Sequence, residues 1–200
     1  MDEYKEVLRF WFGELSSPTD TPKNKRDLWF RNGQAYDEQI RQQFGQLHQS
    51  AIAGDLDHWA ESPRGCLALI ILLDQFSRHI FRNTAAAFAQ DAQAQSVVRE
   101  ALKNDFDREL YFFERVFFYI PLEHAEDIDL QNESVALYQS LYDEAPKELK
   151  STFATFLSFA QSHRTVIEKF GRFPELNKIL ERESTPEEIE FLATGKYQFL

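Results

Sequence analysis

Cysteine, glycine and proline are scarce in this sequence. Its single cysteine, Cys66, excludes an internal disulfide framework and favours a reducing cytoplasm as the compartment. Cys66 lies among apolar residues, which favours a buried and unreactive thiol over a nucleophile. Seven glycines and seven prolines are too few for a fold dominated by loops.

Long hydrophobic runs and net positive charge are also missing. The longest strongly apolar run, residues 66–73, is too short to span a bilayer, and the N-terminal MDEYKEVLRFWF lacks the pattern of a secretion signal. The formal net charge of −11 repels nucleic-acid phosphates and anionic membranes. We therefore predict no nucleic-acid partner and no membrane partner, and the sequence leaves the oligomeric state open.

Aromatic residues are abundant, and the apolar residues recur with a helical period. Nineteen phenylalanines in 200 residues supply a large core, and a chain of this length predicts a single domain over residues 1–200. Prolines placed to open helices and glycines placed to end them agree with the period. The predicted starts and ends are Pro22, Pro63, Pro146, Pro186, Gly54 and Gly171. The sequence predicts an all-α fold of antiparallel helix pairs with no sheet.

The segment 67–82, LALIILLDQFSRHIFR, changes character along its length. Its first half is apolar on all sides, and its second half acquires Asp74, Arg78 and Arg82. The spacing i, i+4, i+8 places these three on one helix face, with Gln75 beside them. Charges that continue a buried helix must reach solvent or be paired, so this face is a candidate binding site.

Two further segments bring polar groups into apolar helices. His163 falls on the apolar arc of residues 153–170, where it is either a satisfied core histidine or part of a cleft. Pro121 is predicted to interrupt an aromatic helix, and Glu123 and His124 follow it. A histidine beside a carboxylate can act as a general base. Because no metal-ligand spacing such as HExxH is present, we predict no metal and no cofactor.

A turn at residues 171–174 places Arg172 at a helix end, with Asn177 after it. The arginine fork suits planar recognition of a carboxylate or phosphate by paired donors. Glycine-rich phosphate loops, hydrolase elbows and dinucleotide signatures are missing.

These residues together resemble a known bacterial family. The resemblance is carried by FWFG at 10–13, LALIILLDQFSRHIFR, the YxPLEH motif at 119–124, His163, and FGRFPELN at 170–177. The family is registered as domain of unknown function 924. The resemblance implies an all-helical fold like that of tetratricopeptide-repeat superhelices, and it implies no activity. Ser77, His79, Ala125 and Glu181 depart from the pattern, since relatives tend to show Pro, Asn, Ser and Gly there.

The sequence leaves three functions open. We predict a binding module with an Arg/His-lined pocket for an anionic small molecule or an acidic peptide. The alternatives are an enzyme that uses a histidine–carboxylate pair as general base, and a buried polar network with a structural role. The predicted ligand-binding residues are Asp74, Gln75, Arg78, Arg82, His124, His163, Arg172 and Asn177. We expect six of them to converge on one region: Asp74, Arg78, Arg82, His124, His163 and Arg172. The catalytic candidates are His124, Glu123 and His163.

Overall fold

The computed structural model describes residues 3–195, and no strand occurs among them. The predicted all-α class is therefore confirmed. Nine α-helices lie in this part of the chain: α1 (Glu3–Phe12), α2 (Asp37–Ala53), α3 (Pro63–Ile70), α4 (Ser77–Ile80), α5 (Asp91–Leu102), α6 (Phe112–Glu123), α7 (Ile128–Glu144), α8 (Lys150–Phe170) and α9 (Pro186–Ala193).

Contacts between Cα atoms divide the chain into two compact units. The first comprises the chain up to Arg82 together with Ala86–Pro121, and the second comprises Asn83–Ala85 and the chain from Leu122 onward. The prediction of one domain stays open to an unfolding experiment, and the tetratricopeptide-like superhelix stays a prediction.

The core of the first unit is aromatic. Phe117 is 1% exposed, and its ring centroid lies 5.4 Å from that of Trp11 and 4.6 Å from that of Trp29. Residues 66–73 are buried on all sides, as predicted, and burial raises the pKa of the Cys66 thiol to about 12. Cys66 is thus an unreactive core residue.

Nine apolar residues are predicted to lie in the core because each falls on an apolar helix face or in an all-apolar helix, and the structure divides them into two groups. Those buried are Leu69, Leu73, Phe76, Phe113, Phe117 and Ile167. Those only half-buried are Ile80, Leu137 and Phe156.

The second unit contains an antiparallel pair, α7 and α8. Near their connection the Lys150 ammonium donates to the Tyr142 carbonyl over 2.6 Å. Towards the other end of the pair Arg164 Nε donates to Asn132 Oδ1, also over 2.6 Å. The predicted antiparallel pairing is observed here.

Most of the predicted helix starts and ends are confirmed. Ser62 caps α3 by accepting from the Gly65 amide, and Gly54 and Gly171 end α2 and α8 with φ of 83° and 69°. Thr185 and Glu188 form a capping box at the start of α9. Pro146 precedes a 3₁₀ turn that leads into α8.

Two predictions about proline are wrong. Pro22 opens no helix, because Asn24 has a left-handed φ of 58° that breaks the backbone two residues later. Pro121 does not end its helix, since α6 runs through it to Glu123. The proline removes one backbone N–H, and packing in the core outweighs that loss.

Candidate functional site

The polar half of the segment 67–82 is built around a widened helical turn. Residues Ile71–Phe76 form a π-helix between α3 and α4. The Ser77 hydroxyl donates to the Leu73 carbonyl over 2.6 Å, and His48 Nε2 lies 2.8 Å from the same hydroxyl. Since the Ser77 proton is committed to Leu73, His48 Nε2 must be the donor in this pair. The Ser–His contact therefore lacks the proton arrangement of an activated nucleophile.

Arg78 joins two carboxylates. Its Nη1 lies 3.1 Å from Asp74 Oδ1, and its two terminal nitrogens form a fork with Asp91 over 2.9 and 3.0 Å. Gln75 Nε2 donates to Asp74 Oδ2 over 2.6 Å. The structure thus brings together Asp74, Gln75 and Arg78. Asp74 is fully buried, and its ion pair with Arg78 offsets the cost of that burial.

Arg82 does not stack on this face, so that part of the predicted spacing is wrong. The helix ends at Ile80, and Arg82 lies beyond it. Its Nε and Nη2 donate to the two oxygens of Asp37 over 2.5 and 2.7 Å. The remaining nitrogen, Nη1, makes no hydrogen bond to residues 3–195, and the side chain is 35% exposed.

His79 shares the same carboxylate. Its Nδ1 lies 2.7 Å from Asp37 Oδ1, so Nδ1 carries a proton and donates. Burial lowers the pKa of His79 and the positive charge of Arg82 lowers it further, and together they outweigh the hydrogen bond and the charge of Asp37. His79 therefore becomes charged less readily than a free histidine.

A second histidine–carboxylate pair lies in the second unit. His163 Nδ1 is 3.0 Å from Glu123 Oε1 and 2.9 Å from the Phe159 carbonyl oxygen. Burial alone would lower the pKa of His163, but the charge and hydrogen bond of Glu123 and the charge of Glu175 outweigh it, so the pKa is raised. The His124 ring centroid lies 6.4 Å from that of His163. The structure therefore brings the three catalytic candidates together.

Arg172 and Asn177 meet at the carboxylate of Glu188. Arg172 donates from Nε and Nη2 over 2.7 and 2.8 Å, and Asn177 Nδ2 donates to the same group over 3.2 Å. These bonds hold the pKa of Glu188 low, at about 2. Asn177 also accepts from Arg182, whose guanidinium forks onto Glu126. Most of this network is a closed set of pairs that fastens α9.

The sequence did not reveal which carboxylates pair with the three arginines. Asp37 and Asp91 each lie in the first turn of a helix, where acidic residues are common whatever their role. Glu188 likewise lies in the first turn of α9, where it forms the capping box with Thr185. Convergence of residues from both units on one region remains a prediction.

The first unit contains a cleft with a volume of about 310 Å³. No arginine or histidine lines this cleft. Its lining is Asp57, Ala60, Leu69, Gln93, Ser96, Val97, Glu100, Ala101 and Asn104.

Within residues 3–195 no three His, Cys, Asp or Glu side chains are grouped so as to hold a metal ion. No helix in that range is long and apolar enough to cross a bilayer.

The fold and the paired charges define an all-helical protein with two histidine–carboxylate pairs. Comparison with known proteins identifies the family to which it belongs. The chain belongs to the family of bacterial proteins of unknown function DUF924, which it matches over residues 7–196. It is similar to a solved protein of unknown function from Agrobacterium tumefaciens. The two share 36% sequence identity with a TM-score of 0.82, over 96% of this chain and 98% of the other. No curated protein matches the chain.

Proposed function

We propose that this chain is a binding module for an anionic small molecule or an acidic peptide, and that Arg82 donates to the ligand. The observation that carries the proposal is the side-on pairing of Arg82 with Asp37, which leaves Nη1 without a partner among residues 3–195 on a partly exposed side chain. A guanidinium fixed on one edge presents its remaining donors in a defined plane.

Arg172 repeats this arrangement in the second unit. Glu188 holds its Nε and Nη2, Nη1 has no hydrogen bond to the described residues, and the side chain is 29% exposed. Because a carboxylate already neutralises each guanidinium, affinity must come from oriented hydrogen bonds and not from excess positive charge. The cytoplasm is the compartment we propose, on the basis of the single, buried cysteine.

The test uses Arg82→Gln, with Arg99→Gln as the matched control on exposed α5 surface. Thermal unfolding is measured with inorganic phosphate, citrate and a peptide of consecutive glutamates. A probe at 100 times its dissociation constant stabilises the wild type by about 2.7 kcal/mol. We expect Arg82→Gln to lose this gain and Arg99→Gln to keep it. Absence of any shift in the wild type, or an equal shift in Arg82→Gln, contradicts the proposal.

Arg78 is the wrong position for this test. The sequence alone suggests that Arg78→Ala leaves the fold intact, but the buried Asp74 would then lose its compensating charge. Loss of ligand-induced stabilisation in such a variant could arise from damage to the fold.

A general base is the second candidate function, because Glu123 and the Phe159 carbonyl hold the proton of His163 on Nδ1. The neutral ring then carries its lone pair on Nε2, as a base requires. The test is carbethoxylation by diethyl pyrocarbonate, followed by mass spectrometry of the His163 peptide. We expect the rate to rise with pH through the raised pKa of His163. A folded protein whose His163 does not react contradicts this role.

A further inference from the structure

We propose that Gln131 is a positioning residue for His163, and that Gln131 and Ser134 together bind one internal water molecule that fixes the Gln131 amide. The proposal goes beyond the two functions above, although its importance for chemistry rests on the proposed role of His163. All of its residues lie in the second unit.

Gln131 is fully buried on α7 and holds the chain where it leaves α6. Its Nε2 donates to the Glu123 carbonyl over 2.7 Å and to the Ala125 carbonyl over 2.8 Å. Both hydrogens of the amide nitrogen are therefore used, and the assignment of nitrogen and oxygen is unambiguous. The two bonds fasten both sides of His124.

Two buried polar atoms beside this anchor lack a hydrogen-bond partner in the described part of the chain. Gln131 Oε1 and Ser134 Oγ are buried and make no hydrogen bond to residues 3–195, and both residues are 0% exposed. They are three positions apart on one helix and so share a face. A buried water that accepts from or donates to several such atoms is the usual solution in protein interiors. A water here can accept from Ser134 Oγ and donate to Gln131 Oε1.

The anchor matters because the Glu123 carboxylate is 3.0 Å from His163 Nδ1. The other groups that face His163 are the Phe159 carbonyl, the Phe173 ring at 5.6 Å, the His124 ring and the charge of Glu175. Glu123 and Glu175 are the negative charges among them. A shift of residues 123–125 lengthens the contact between Glu123 and His163. The Glu123 charge then offsets less of the effect of burial on the pKa of His163.

The experiment measures the tautomer and titration of the His163 ring by ¹⁵N-edited NMR. Gln131→Leu removes both donors, and Gln139→Leu is the matched control on the exposed side of α7. We expect the pKa of His163 to fall by about half a unit or more in Gln131→Leu, because the Glu123 charge recedes, and to stay unchanged in Gln139→Leu. An unchanged His163 in folded Gln131→Leu overturns the proposal.

Ser134→Ala keeps the test decisive if Gln131→Leu does not fold. It removes one partner of the water and leaves the Gln131 donors in place, with Ser140→Ala as its control. In the wild type we expect a long-lived water with cross-relaxation to the Gln131 amide, lost in Ser134→Ala together with a smaller fall in the pKa of His163. Absence of that water in the wild type, or no change in His163 in Ser134→Ala, overturns the water site. If His163 does not react with diethyl pyrocarbonate but these pKa shifts are observed, His163 is not a general base and Gln131 is still a positioning residue.

Discussion

The two histidines paired with carboxylates differ in the direction of their pKa shift. Burial opposes the charged form of both, and both have a carboxylate within 3.0 Å of Nδ1. Arg82 shares the carboxylate of His79 and repels its proton, whereas Glu175 adds a second negative charge near His163. The balance of burial, partner carboxylate and neighbouring charge therefore lowers the pKa of His79 and raises the pKa of His163.

This contrast predicts opposite pH dependences for two substitutions. The folded pKa of His163 is raised above 6.5, so its stabilising contribution is fully present below pH 6.5 and is lost as the pH rises through the folded pKa. The folded pKa of His79 is lowered, so its contribution is present above pH 6.5 and is lost as the pH falls through the folded pKa. Urea midpoints from pH 5 to 9 should show His163→Asn most destabilised in acid and His79→Asn most destabilised in base. Parallel curves for the two variants contradict both assignments.

Glu181 illustrates a departure from the family pattern with a backbone cause. The family resemblance predicts glycine at this position, and Glu181 has a left-handed φ of 53°. An L-residue with a side chain pays about 1–2 kcal/mol in that region, and glycine does not. Glycine also gives the unfolded chain more conformational entropy, and this reduces the stabilisation from relieved strain by about 0.5–1 kcal/mol.

We therefore expect Glu181→Gly to raise the free energy of unfolding by up to about 1 kcal/mol, measured by urea titration. Gly171→Ala is the reciprocal control, since φ is 69° and a Cβ there meets no atom within 4 Å. It should lower stability through backbone strain alone. A loss of stability in Glu181→Gly would show that the Glu181 side chain itself contributes to the fold.

At the scale of elements, local signals decided where some helices begin but not how regular helices are inside. The caps at Ser62 and Thr185 act within one turn, so the residues concerned are visible in sequence. The π-turn at Ile71–Phe76 and the passage of α6 through Pro121 depend on packing against other elements. No spacing in the chain indicates either feature.

The stability that Glu188 contributes at the start of α9 depends on pH. The pKa of Glu188 is lowered from 4.5 to about 2, chiefly by the Arg172 hydrogen bonds. Its contribution is therefore present above pH 4.5 and is lost as the pH falls towards 2. We expect Glu188→Gln to be less stable than the wild type at pH 7, and the two to converge in acid denaturation followed by circular dichroism. A constant difference down to pH 2 contradicts the assignment.

At the scale of the whole molecule, the three tryptophans report on the first unit. Trp11, Trp29 and Trp59 all lie before Arg82, and the second unit has none. Fluorescence therefore follows the first unit, while far-ultraviolet circular dichroism follows helices of both. A single cooperative domain requires the two signals to change together.

We expect coincident midpoints in urea for fluorescence and circular dichroism, as the sequence prediction of one domain requires. A phase of helix loss that leaves the fluorescence unchanged would show instead that the two units unfold independently. Repeating the titration at two protein concentrations separates dissociation of an oligomer from unfolding, because only dissociation depends on concentration.

The sequence by itself determined the fold class, several helix boundaries and the segments that carry polar groups into the core. Periodicity, caps and left-handed glycines are short-range features, so one chain displays them without its tertiary partners. The tertiary structure alone decided the partners of those groups. Asp37 is 45 residues from Arg82, and Glu123 is far from His163 along the chain. Hydrogen bonds across such separations depend on how helices pack, and that packing decides which carboxylate each arginine binds and in which direction the pKa of each buried histidine shifts.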